Sequence, residues 1–230
     1  MKLSVVMATM NEEEAVADVI RDVLTFNSKW DPEIVVVDSS TDRTPEIAKK
    51  LGARVILQEP QGHGVALRKG MFEAKGDVIV TTDCDGTYPV ELIPLFVEMI
   101  EKEGYDVVSG NRMNRYNRSM PFLNRAANRI FAILVRMIYR IPTHDVTTGM
   151  HALRREVVRS INWETNYSFP VEIIVRTVEN GYRWQEVEIP YRERVGKVTL
   201  RRFRSGRAYM RFIIGHRFSK GRTREGIGRS

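Results

Sequence analysis

The sequence contains one cysteine, Cys84, in 230 residues. A lone thiol excludes an internal disulfide and a cysteine-rich zinc site, and it fits a reducing compartment. No stretch approaches the about 18 consecutive apolar residues of a spanning helix. The first residues, Met1-Lys2-Leu3-Ser4, lead straight into a strand-like segment, so no signal-peptide core is expected. At 43% hydrophobic and 28% charged, with 16 Gly and 9 Pro, the composition excludes disorder, collagen and low complexity.

Acidic residues are missing from two stretches where basic ones gather. Residues 111–144 hold seven arginines and no Asp or Glu. Residues 192–230 hold 13 Lys and Arg against Glu193 and Glu225. The whole chain is +7, so the remainder outside 192–230 is net acidic, at −4. This asymmetry points to a polyanionic partner: anionic lipid, nucleic acid or a phosphorylated substrate.

The first 110 residues alternate two patterns. Short β-branched runs at 3–7, 34–37, 54–57, 77–82 and 106–109 read as strands. Between them, stripes such as Val16, Val19, Ile20, Val23 and Leu24 have helical spacing. Alternating βαβα predicts an α/β fold, a mostly parallel sheet with helices on both faces. Asn11 ahead of three glutamates reads as a helix N-cap, and Pro45 as a helix start. Gly52, Gly76 and Gly104 read as helix stops. Further on, 121–140 reads as one amphipathic helix, 149–160 as strand then helix, 168–180 as helix and 183–190 as strand. Residues 205–220 read as a basic helix, with a mobile tail from 221. No repeat and no linker divides the chain.

Several polar constellations fall at strand exits, where open α/β sheets bind ligands. The sharpest is Thr81-Thr82-Asp83-Cys84-Asp85-Gly86. Residues i and i+2 of an extended chain face one side. Two hard carboxylates there suit Mg²⁺ or Mn²⁺, which could bridge a diphosphate. The bland alternative is a polar strand exit with Asp83 capping a turn. Residues 8–12 and 37–42 lie at two other exits, and helix capping explains part of them. Residues 62–70 are glycine-rich, and Arg68 there could reach a phosphate, but the spacing is not that of a P-loop.

In this order the motifs resemble those of a family 2 glycosyltransferase of the GT-A fold, in the dolichyl-phosphate mannose or glucose synthase-like branch. The matching pieces are 8–12, 35–44, 62–70, 82–89, 110–112, 145–150 and 188–196. The resemblance implies a single domain over 1–200, with a nucleotide-sugar half (1–110), an acceptor half (111–200) and a basic C-terminal helix and tail (201–230). It implies a donor-binding set of Ala8, Asn11, Glu12, Asp38, Arg68, Asp83, Cys84, Asp85, Arg112 and Arg194. Asp83 and Asp85 are the implied metal ligands for Mg²⁺ or Mn²⁺. Arg112, Arg125 and Arg129 are expected around an acceptor phosphate, and Asp85, Arg112 and Asp145 form the expected catalytic set.

The expected reaction is inverting transfer of a hexose from a nucleotide-diphosphate sugar, of the GDP-mannose or UDP-glucose type, to a polyprenyl or dolichyl phosphate. The expected place is the cytoplasmic face of a membrane, with the protein peripheral on an anionic surface and an integral-membrane protein as a candidate partner there. The sequence departs from the family at Ala8 and Met10, where Pro and Tyr are usual. It also departs at Thr87, where mannose synthases have Gln, and at 196–199, where the usual lysine is missing and Lys197 or Arg201 is the candidate substitute. A phosphate acceptor needs no side-chain base, since its second pKa is near 6. A hydroxyl acceptor, soluble or not, would need one, and Asp145 is the candidate; its alternative is a loop anchor. A nucleic-acid-binding domain using Tyr116, Phe203, Tyr209, Phe212 and Phe218 for stacking leaves the acidic motifs unexplained, so no nucleic acid is expected. A nucleotidyltransferase lacks its glycine-rich start here.

Overall fold

Each central strand is apolar throughout because both its faces are covered. Val5 and Met7 of β1 (Leu3–Thr9) enter one core, and Val6 between them enters another. The protein is seen in a computed structural model that describes residues 1–114, 119–196 and 202–225, with backbone alone for 202–205 and 219–225.

One seven-stranded sheet is built from β1, β2 (Glu33–Asp38), β3 (Arg54–Leu57), β4 (Val78–Thr82), β5 (Val107–Asn111), β6 (His151–Arg154) and β7 (Trp184–Glu188). Its order is β3-β2-β1-β4-β6-β5-β7. All neighbours run parallel except β6, which is antiparallel to both β4 and β5. The expected mostly parallel sheet is therefore present, with one reversed strand, β6, fifth in the order between β4 and β5.

Helices α1 (Val16–Phe26), α2 (Thr44–Lys50) and α4 (Ile93–Lys102) cover one face. On the other lie α3 (His63–Glu73), α6 (Arg155–Ser160) and α7 (Phe169–Glu179). Pro45 sits in the first turn of α2 as expected, and Gly52 and Gly104 take left-handed φ of 87° and 73° beyond α2 and α4. Gly76 differs. Its φ is not left-handed, and it is glycine because an added Cβ would meet the Ser4 amide nitrogen at 2.5 Å.

A third apolar cluster joins α5 (Phe122–Tyr139), α7 and α8 (Arg202–Glu225). Asn128, Phe131, Ala132 and Val135 of α5 are buried. Tyr209, Phe212 and Ile213 of α8 are buried against them, with Tyr209 stacked on Phe131 at 5.3 Å. The Tyr139 hydroxyl donates to the Ile213 carbonyl at 2.7 Å, and His216 lies 2.8 Å from Glu179. The basic helix is thus docked on the fold and is longer than the expected 205–220. Tyr209 and Phe212 are core residues and have no face for a nucleic-acid base, while Tyr116 lies outside the described residues. No helix among the described residues is long and apolar enough to cross a membrane.

Candidate active site

The exits of β1, β2 and β4 share one edge of the sheet. β4 ends at Thr82 and the chain bends over residues 84–86, with Gly86 at a left-handed φ of 76°, so the aspartates meet at a bend and not along an extended strand. Cys84 points into the core at 2% exposure, and burial pushes its thiol far up, so it is inert. Asp83 Oδ1 lies 3.2 Å from His63 Nε2. Asp85 Oδ1 accepts from the Thr87 amide at 3.1 Å and its hydroxyl at 2.6 Å, and Asp85 Oδ2 accepts from Arg194 Nη1 at 2.7 Å. Gly149 leaves room beside Asp83, since a Cβ there would stand 3.1 Å from Oδ1.

The two aspartates titrate in opposite directions. Burial acts to raise Asp83, but the hydrogen bond and charge of His63, with Arg112 and Arg194 beyond, hold it below the usual carboxylate range. Burial raises Asp85, and the charge of Asp83 raises it further. Glu12 is pushed up to about 7, first by burial, against the pull of Arg194 and with help from Asp85 and Asp83. Three carboxylates thus crowd one edge.

The β1 and β2 exits are laced together. Asn11 does not cap α1, which begins at Val16 with its first amides on the Glu12 carbonyl. Instead Asn11 takes a left-handed φ of 59°, its amide donates to Ser40 Oγ at 2.8 Å, and its Oδ1 accepts from the Thr41 amide at 2.9 Å. Asp38 is buried and accepts from Thr9 Oγ1 and Ser40 Oγ, both at 2.6 Å. Asp42, one residue ahead of the α2 N-cap, which is Arg43, accepts at Oδ1 from the Thr44 amide at 2.9 Å. Ala8 is half-buried and packs against the second core. Glu12 Oε1 accepts from Arg194 Nη2, and Glu12 Oε2 is buried without a partner.

Arg112 and Asp145 sit deeper. Asp145 is fully buried and accepts from Arg112 Nε at 2.8 Å, Arg112 Nη2 at 3.0 Å and Asn128 Nδ2 at 2.7 Å. Arg112 also donates to the Tyr88 hydroxyl at 3.0 Å and to Thr147 Oγ1 at 2.8 Å, and it lies over the Tyr191 ring at 5.0 Å. Of the two readings of Asp145, this geometry is that of the loop anchor.

The glycines of 62–70 admit protein. A Cβ on Gly64 would strike the Asn166 backbone, and Arg68 Nη1 donates to the Trp163 carbonyl at 2.6 Å. Arg125 is half-buried in the first turn of α5, while Arg129 is exposed. Arg129 lines a cleft of about 350 Å³ with Arg136, His144, Asn111, Ile133 and Glu188. Lys197 and Arg201 lie outside the described residues. His63 was not among the expected site residues, because nothing in its sequence spacing ties it to Asp83, 20 positions away. Tyr88, which holds Arg112 and accepts from the Gly149 amide at 2.6 Å, was missed for the same reason.

Residues 4–161 match the model of glycosyl transferase family 2. The chain is a family 2 glycosyltransferase. It is 47% identical over 212 residues, 92% of each chain, to a dolichyl-phosphate hexose transferase of Haloferax volcanii. It is 31% identical to a dolichol-phosphate mannosyltransferase of Pyrococcus furiosus, over 83% of this glycosyltransferase and 56% of that longer protein. Its GT-A fold is shared with glucosyl-3-phosphoglycerate synthase of Mycobacterium tuberculosis, solved with Mn²⁺, UDP and phosphoglyceric acid. That likeness has a TM-score of 0.78 at 22% identity and covers 94% of this glycosyltransferase and 78% of that chain. The same enzyme has also been solved with Mg²⁺ and UDP, with a TM-score of 0.74 at 23% identity, covering 93% of this chain and 79% of that one.

A divalent cation fits the residues present. Asp83 and Asp85 offer hard oxygens, Glu12 Oε2 is an orphaned buried acceptor, and the Arg194 guanidinium already stands between Asp85 and Glu12 as a cation. Among the described residues no three Asp, Glu, His or Cys are arranged to hold an ion unaided.

Proposed function

We propose that this glycosyltransferase moves a hexose from a nucleotide-diphosphate sugar to a polyprenyl phosphate at a membrane surface, with inversion, and that it depends on Mg²⁺ or Mn²⁺. The observation that carries the reading is the juxtaposition of Asp83, Asp85 and Arg194 at the β4 exit. The ion would be held by Asp83 and Asp85 and would stabilise the departing diphosphate. Thr87 holds Asp85 by its hydroxyl and amide, and His63 holds Asp83. Arg194 is placed to bind the donor diphosphate. Asn11, Glu12 and Asp38 form the nucleotide side of the site.

The state of Asp145 favours a phosphate acceptor. Its carboxylate is fully buried and committed to Arg112 and Asn128, so it is in no position to deprotonate a hydroxyl. A phosphate monoester is already a nucleophile at neutral pH. It needs cations against the charge of the donor, and α5 offers Arg125 and Arg129. Arg112 acts on the acceptor side by fixing the loop after β5.

The outer face of α5 supports a membrane setting. Phe122, Leu123, Ile130 and Met137 are 80%, 73%, 54% and 74% exposed. Arg125, Arg129, Arg136 and Arg140 make no ion pair among the described residues. By contrast, every described arginine from 21 to 112 and from 154 to 194 bonds a carboxylate or carbonyl of the fold. Unspent cations beside exposed apolar side chains fit an anionic bilayer surface. An integral-membrane partner and a cytoplasmic-face location belong to the same proposal.

Incubation with UDP- or GDP-sugars, Mn²⁺ and a short polyprenyl phosphate tests it. The expected product is a lipid-linked hexose with the anomeric configuration opposite to the donor by NMR. Transfer that is unaffected by chelation, or a product of retained configuration, contradicts the reading.

A further inference from the structure

A strap over residues 191–196 crosses the carboxylates at the β4 exit. Its backbone is fastened at two points: the Arg192 amide donates to the Thr87 carbonyl at 3.0 Å, and the Val195 amide to the Asp85 carbonyl at 2.9 Å. Between them Arg194 turns inward, one Nη on Asp85 Oδ2 at 2.7 Å and the other on Glu12 Oε1. The side chain is 20% exposed, and its Nε and Glu12 Oε2 are buried without partners. The guanidinium is therefore held by charge more than by a complete set of hydrogen bonds.

We infer that Arg194 competes with the divalent cation for this site, and that a nucleoside diphosphate relieves the competition by drawing the guanidinium onto itself. Metal capture is then contingent on nucleotide. The inference rests on the metal-dependent reading above. Asp85 Oδ2 is both the oxygen bound by Arg194 and one of the few oxygens that can meet a metal ion. An ion arriving alone either sits against a guanidinium or expels it, and expulsion leaves a shielded cation unpaired. A diphosphate changes the balance, because its oxygens suit the planar fork of arginine. Because the strap is fastened at residues 192 and 195, the Arg194 side chain can swing while the backbone stays tied.

Mn²⁺ binding to the full chain, read by the loss of the free Mn²⁺ spin-resonance signal, tests this without turnover. With MnCl₂ alone, R194Q is expected to bind about fivefold or more tighter than wild type, the low end of ordinary coupling between sites. UDP or GDP is expected to tighten Mn²⁺ binding strongly in wild type and much less in R194Q. R194K keeps the charge and is expected to bind Mn²⁺ alone as weakly as wild type. Thermal unfolding of each variant checks that the fold is retained. Equal or weaker Mn²⁺ binding by R194Q overturns the inference and leaves metal dependence standing, as does R194K binding as tightly as R194Q. No Mn²⁺ binding by any form, even with UDP or GDP, overturns the metal reading and this inference together.

Discussion

Arg112 and Asp145, 33 residues apart in sequence, form a two-pronged ion pair at 2.8 and 3.0 Å with almost no exposure to solvent. The Arg112 amide adds a third bond to the same carboxylate at 2.9 Å, and Asn128 of α5 a fourth at 2.7 Å. One carboxylate thus joins the β5 exit, the long helix and the loop leading to Gly149.

Removing one partner leaves the other charged and buried, which typically costs about 3–5 kcal/mol. D145A is expected to lose stability on that order in urea unfolding, far more than a surface control such as D18A. Burial acts to raise the Asp145 pKa, but the charge and hydrogen bonds of Arg112 hold it below its ordinary 3.8. A lowered native pKa contributes stability above the unfolded value and loses it as pH falls through the native value. The acid limb of the wild-type stability profile, below about pH 4, should therefore be steeper than that of D145N.

Glu12 has the opposite sign. Its native pKa of about 7 lies above its ordinary 4.5, mainly through burial. Its contribution is whole below pH 4.5 and is lost as pH rises through 7, on the order of 1–3 kcal/mol. E12Q should be nearly as stable as wild type at pH 5 and gain on it at pH 8. A wild-type advantage that grows with pH would mean that the Arg194 contact outweighs the burial of Glu12.

The outer face of α5 separates two contributions to membrane contact. R129Q/R136Q should lose the preference for anionic over neutral vesicles, at about 1 kcal/mol per arginine. I130S/M137S should weaken flotation with both. The Met137 and Ile130 side chains are exposed, so thermal unfolding should barely move. Equal flotation of all three proteins would remove α5 from the membrane contact.

Much of this molecule is legible in its sequence. The five β-branched runs of the first half fall within one or two residues of β1 to β5, because a strand covered on both faces must be apolar along its length. Residues 121–140 announce α5 through the spacing of Phe131, Ala132 and Val135. What sequence hides is pairing at a distance. Four residues, 151–154, carry no sign that β6 runs backwards between β4 and β5. The spacing of Tyr209, Phe212 and Ile213 shows an apolar stripe but not that α5 and α7 receive it. In the site, Asp83 and Asp85 are visible as a motif, while the commitments of Arg112 to Asp145 and of Arg68 to Trp163 depend on contacts across 33 and 95 positions. Asn11 shows the limit of local rules: its capping signature is real, but its side chain serves the neighbouring loop.

The most direct test pairs two variants in two assays. Donor binding is followed as thermal stabilisation by UDP- or GDP-sugar with Mn²⁺, and transfer as lipid-linked hexose formed. D85A should lose both. R125A should keep donor stabilisation and lose transfer by about tenfold or more, as expected for one charge-assisted phosphate contact of about 1.5–3 kcal/mol. D85A that is stabilised by donor like wild type, or R125A that transfers at the wild-type rate, would contradict a carboxylate-held donor facing an arginine-held acceptor.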